Sequence, residues 1–132
     1  MLKPAVIEYD DEIDALIVTV EGELCFELYK SVIEAIMKAP EFRPNINVLY
    51  DARNVSISLL TSSEIREVSD YARSIAPRRG TSWKAAIVVS GMVTYGLARM
   101  FEIMSDDSPF ITSVFREIEK ARAWVKGKPV AS

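Results

Sequence analysis

The chain reads as an α/β fold: a mostly parallel sheet with helices laid against it. Three observations predict this. Short β-rich apolar runs alternate with stretches of helical periodicity from about residue 21 onward. After its lysine the run "KAAIVV" is apolar throughout, as a strand covered on both faces should be. The first two runs, "AVIEY" and "ALIVTV", are separated by the acidic turn "DDEID", which suggests a hairpin and therefore one antiparallel strand at the start.

After the hairpin, "FELYKSVIEAIMKA" places Phe26, Tyr29, Ile33 and Ile36 at helical spacing, and Pro40 follows its end. "INVLYDA" is a short apolar strand. Ile65, Val68, Ala72 and Ile75 predict a second amphipathic helix, closed by "PRRG". "KAAIVV" follows as a strand and "MVTYGLARMFEIMS" as the third helix. "ITSVF" is the last strand, and "EIEKARAWVKG" is a last helix carrying Trp124 inward. The order is ββαβαβαβα, one domain over residues 1–132. Parallel strands of this kind are joined by right-handed crossovers.

Bulk properties narrow the function. With 16 Lys and Arg against 19 Asp and Glu, the net charge is −3, so no broad cationic field exists to hold nucleic acid or an anionic membrane. There is no histidine, which removes the commonest general base and metal ligand together. The single cysteine, Cys25, has no internal disulfide partner and suits a reducing cytoplasm. The N-terminus is charged where a signal peptide would need its apolar core. The most apolar stretch, "AAIVVSGMVTYGLA", is too short to span a bilayer.

Three segments, "GELCFELYKSVIEAIMKAPEFRPNINVLYDARNV", "RRGTSWKAAIVVSGMVTYGLARMFE" and "SPFITSVFREIEKARAWV", resemble the small bacterial STAS-like domains. These are related in fold to SpoIIAA-like anti-sigma-factor antagonists, and more distantly to lipid-carrying CRAL-TRIO domains. The resemblance runs from about Glu21 to Val125. It implies a single STAS-like domain. In the classical antagonists a serine in an Asp-Ser-Ser-Gly motif, at the start of the helix after the third strand, is phosphorylated. Here Thr61-Ser62-Ser63-Glu64 occupies that place, and the serines match while the Asp and Gly do not.

Physically, "TSSE" is explained by helix capping. Thr61 and Glu64 have the spacing of a capping box, each side chain accepting an orphan backbone N–H. Phosphate on Ser62 or Ser63 would sit favourably at a helix N-terminus, with Glu64 and Glu67 opposing it. In the third helix, Met92, Val93, Gly96, Leu97, Met100, Phe101 and Met104 fall with Ile103 on one apolar arc of roughly 180°. That is wider than one sheet contact needs. A deeply buried helix, a homodimer contact or an apolar ligand would each account for it.

In sheets of this type ligands bind beyond the carboxyl ends of the strands. Asp51 and Arg53 lie there after the third strand, and Ser90 and Gly91 after the fourth. With Tyr95 and Arg99 they form a candidate small ligand or anion site. "PRRGTSWK" carries Arg78, Arg79 and Lys84 around Trp83 and reads as a solvated loop. Asp10, Asp11, Glu12 and Asp14 crowd one turn, which suits solubility rather than acid–base catalysis. No phosphate-binding, dinucleotide-binding or serine-hydrolase motif is present.

The reading that follows is a non-catalytic cytoplasmic binding or regulatory module, without cofactor or metal, acting through a homodimer or other protein contacts. Its alternatives are a carrier of a small lipid or apolar ligand, and a partner-switching protein controlled at Ser62 or Ser63.

Overall fold

Five strands form one sheet: β1 (Ala5–Asp10), β2 (Ala15–Glu23), β3 (Asn47–Ser56), β4 (Trp83–Val88) and β5 (Phe110–Phe115). The computed structural model describes residues 5–57, 60–92, 94–96, 98 and 110–127. Spatial order equals chain order. β1 is antiparallel to β2, and each later strand is parallel to the one before it. The helices are α1 (Phe26–Lys38), α2 (Ser62–Arg79), α3 (helical at residues 92, 94–96 and 98) and α4 (Ile118–Lys126). The order is thus ββαβαβαβα, as the sequence predicts.

This strand order decides where the helices go. Each crossover from β2 to β5 steps to the next strand in the same direction. Right-handed crossovers that all step one way put their helices on one face of the sheet. Side-chain alternation shows the consequence. Leu16, Val18 and Val48 pack with Val32, Ile33 and Ile36 of α1 and Ile75 of α2. The alternate residues Ala15, Leu49, Ala86 and Val88 pack with Ala121 and Val125 of α4, which crosses to the opposite face. Ala86 and Val88 on one face are fully buried and Trp83 and Ala85 on the other are buried too, so β4 is covered on both sides.

The hairpin is tied to both layers. Asp14 occupies the turn with φ +50°, accepting from the Tyr9 hydroxyl at 2.6 Å and from Arg43 Nη2 at 2.6 Å. Arg122 of α4 donates to Asp10 and, at 3.3 Å, to Glu12. On the far side, Lys84 Nζ donates to the carbonyls of Trp124 and Gly127 at 2.8 and 2.7 Å, closing the C-terminus of α4. Burial lowers the Lys84 ammonium below its ordinary value. Trp124 is half-buried, packed between Phe115 and Lys84.

Among the described residues, no helix is long and apolar enough to cross a membrane.

Candidate ligand pocket

The face that carries α1, α2 and α3 does not close completely on the sheet. A cavity of about 170 Å³ lies between them. Its cause is composition. Ala52 on β3, Ala72 on α2, Ala85 on β4 and Ala98 on α3 all line it, where larger side chains would fill the layer at native packing density. β4 supplies its floor at two-residue steps, Trp83, Ala85 and Ile87, with Val89 just beyond the strand. The lining runs the length of that strand, roughly 20 Å.

One end of this apolar space is polar. Arg79, the last residue of α2, is 6% exposed. Its Nη1 donates to the Tyr50 hydroxyl at 3.3 Å, and its guanidinium carbon lies 5.0 Å from the centre of the Trp83 ring. Its Nη2 is buried with no hydrogen-bond partner, and so is Nε1 of Trp83. Trp83 is 3% exposed and stacks on Phe110 at 5.2 Å. Among the described residues that line the cavity there is no carboxylate. A buried charge without a counter-ion costs several kcal/mol, of which the Tyr50 bond and the Trp83 ring offset only part.

Local sequence fixes this arrangement. The inward stripe of α2 is Val68, Ala72, Ile75 and Arg79, at helical spacing. Asn45 then locks the end of the helix. Its backbone N–H donates to the Arg79 carbonyl at 2.8 Å, and its side-chain Oδ1 accepts from the backbone N–H groups of Thr81 and Ser82 at 2.7 and 3.0 Å. Here the structure corrects the sequence reading. "PRRGTSWK" is not a solvated loop, because α2 continues past Pro77 to Arg79. That extra turn leaves Arg78 exposed but buries Arg79. Extending the Ile65–Val68–Ala72–Ile75 stripe by four residues finds Arg79 from sequence alone.

The residues expected at the carboxyl edge of the sheet lie close together, since β3 and β4 are neighbours. Arg53 grips Asp51 through two hydrogen bonds, Nε to Oδ1 at 2.8 Å and Nη2 to Oδ2 at 2.7 Å. These hold the Asp51 carboxyl below its usual range. The Ser90 hydroxyl donates to the Arg53 carbonyl at 2.8 Å. Gly91 has φ +82°, and its carbonyl accepts from the Tyr95 N–H. Tyr95 lies beneath the Arg116 guanidinium, 4.8 Å from ring centre to charge. Arg99 lies outside the described residues. Of the apolar arc, Met92 and Gly96 are exposed, and Met92 accepts from Arg116. Val93, Leu97, Met100, Phe101 and Met104 lie outside the described residues.

At the start of α2, Thr61 Oγ1 accepts from the Glu64 N–H at 3.1 Å, as a cap should. The other half of the expected capping box is absent. The Glu64 carboxylate reaches across to α1 and accepts from the Phe26 N–H at 3.3 Å. Cys25, at the N-cap of α1, offers no side-chain cap bond, so an N–H of that first turn was open to it. Ser62 and Ser63 are exposed on the first turn of α2.

No protein-family model and no curated protein matches the chain. Among solved structures it is similar to an uncharacterised protein of the DUF3478 family from Shewanella loihica PV-4. That protein has a SpoIIAA-like fold, solved at 2.25 Å. The two share 18% identity with a TM-score of 0.59, over 92% of this chain and 91% of that one. The fold of this chain is therefore SpoIIAA-like, as the sequence resemblance implies.

Proposed function

We propose that the chain is a non-catalytic binding protein that takes a small apolar ligand between its sheet and helices α1 to α3. The alanine-lined cavity of about 170 Å³ carries this reading. An apolar cavity of about 150 Å³ is enough to admit benzene, so this one suits a ligand of about six to ten carbons. A reducing cytoplasm fits the lone Cys25.

Titration of isotope-labelled protein with toluene and with 1-octanol tests the reading. Saturable shifts confined to the lining residues are expected. Ala85→Leu, which places a larger side chain inside the cavity, should weaken both by at least about tenfold if the variant remains folded. Absence of saturable shifts with either compound would overturn it.

A second reading, a homodimer through the α3 face, has the 75% exposure of Met92 behind it. Light scattering after size exclusion checks it. A dimer mass that falls to the monomer mass in Met92→Glu supports the contact, and a monomer at micromolar concentration removes it.

A further inference from the structure

We infer that the ligand of this pocket is a monocarboxylate, an apolar body with one acidic head held by Arg79 beside Trp83; this rests on the cavity being a ligand site. Three observations carry the inference. Arg79 is more than nine-tenths buried, and its Nη2 donates to nothing. Trp83, whose ring lies against the same guanidinium, has a second buried donor without an acceptor. Among the described residues, no acidic side chain lines the space that could satisfy either.

The chemistry of the missing partner follows from what is unsatisfied. The guanidinium and the indole N–H only donate, so the head group must accept. Arg79 is the one charged residue among the described residues of the lining, so a head of single negative charge balances it and a doubly charged phosphate does not. A planar carboxylate also matches the fork of a guanidinium whose other nitrogen is already held by Tyr50. Away from this end the lining is mainly aliphatic, with Ala85, Ile87 and Val89 in succession along one edge. The acid thus enters with its head toward Arg79 and its body along β4. Ser69, also buried without a partner, lies roughly 15 Å back along α2 and belongs to the other end of the cavity.

The positioning of Arg79 is built rather than incidental. Asn45 holds its carbonyl, Tyr50 holds its Nη1, and Trp83 supports its flat face. A long side chain held at Nη1 and across its flat face, on a backbone that is itself tied, has lost much of its rotamer freedom before any ligand arrives, which favours binding.

The test compares octanoate, octanamide and 1-octanol, which share a body and differ in head, by calorimetry and by the Trp83 indole N–H resonance. Trp124→Phe identifies that resonance. The expected result is octanoate at least about tenfold tighter than either neutral compound, with a shift of the Trp83 indole signal that 1-octanol does not reproduce. Arg79→Met should bring the three affinities together. The head-group comparison in the unaltered protein needs no variant, so an Arg79→Met chain that fails to fold leaves the test intact. Equal affinity of the unaltered protein for octanoate and 1-octanol overturns the acidic head while leaving the apolar pocket standing. Binding of none of the three overturns the pocket itself, and the inference with it.

Discussion

A methyl group on Gly80 would stand 2.2 Å from Oδ1 of Asn45 and 2.5 Å from its backbone nitrogen. Gly80 also has φ +139° and ψ −168°, a region that only glycine occupies readily. The two residues meet where α2 ends and the chain turns into β4, next to Arg79. Asn45 itself sits at φ +72°. One contact therefore sets the end of the helix and the direction of the Arg79 side chain.

Gly80→Ala should destabilise the protein by about 2–4 kcal/mol, combining backbone strain with overpacking against Asn45. Asn45→Asp keeps the acceptor for Thr81 and Ser82 and a side chain that tolerates positive φ, and should cost less than about 1 kcal/mol. Urea unfolding midpoints of the two variants check the contrast. A Gly80→Ala midpoint equal to the parent would mean that the turn relaxes freely.

Legibility in the sequence follows the range of the interactions. Strands and helices come from periodicity within a few residues, and their order was readable because β-rich and helical patterns alternate without a break. Strand order was not readable, since nothing in "INVLYDA" says which strand it will neighbour. The cavity went unread for a related reason. Rules for parallel sheets point to the carboxyl edge, where Asp51 and Arg53 in fact neutralise each other. The cavity comes instead from four alanines on four different elements, a coincidence that no local pattern records. Arg79 was hidden by Pro77, which reads as a stop because it has no N–H for the Arg73 carbonyl, yet α2 runs two residues past it.

Glu64 carries a second such long-range contact. Thr61→Ala removes only the cap of α2 and should cost about 1 kcal/mol. Glu64→Ala leaves the Thr61 bond, which uses the Glu64 backbone, and instead frees the Phe26 N–H of α1. Its cost should be about 0.5–1.5 kcal/mol, felt mainly at the start of α1. Hydrogen exchange separates the two. Faster exchange at the first turn of α1 is expected in Glu64→Ala and not in Thr61→Ala.

The Asp10–Arg122 pair predicts the acid side of the stability curve. The Arg122 guanidinium, and secondarily the Glu12 N–H, hold the Asp10 carboxyl below its ordinary value of 3.8. Asp14, bonded by Tyr9 and Arg43, is lowered as well. A carboxyl depressed in the folded state stabilises fully above its unfolded value and ceases to do so as pH falls through its folded value. Stability should therefore decline below about pH 4. Arg122→Gln should cost about 1 kcal/mol at pH 7 and progressively less as the pH approaches 2, because the pair is partly exposed and already weakened there. Urea midpoints at pH 7 and at low pH measure the difference. A cost that does not change with pH would show that the pair contributes packing and not charge.

Tyr29 makes the opposite prediction at the alkaline end. Its phenol lines the cavity, where burial pushes its ionisation far above the ordinary value of 10.0. The neighbouring Tyr50 adds to the shift and the Arg79 charge opposes it. Above about pH 10 the unfolded chain releases this proton while the folded chain keeps it. Each further step in pH then favours the unfolded state, so stability should fall as pH rises past that point. Tyr29→Phe retains the ring and removes the proton, and should flatten this alkaline decline while changing stability at pH 7 by less than about 1.5 kcal/mol. Absorbance at the phenolate band, followed during alkaline titration, gives the independent measure. The Tyr29 signal should emerge only together with unfolding, and an ordinary titration in the folded state would show that water reaches its hydroxyl through the cavity.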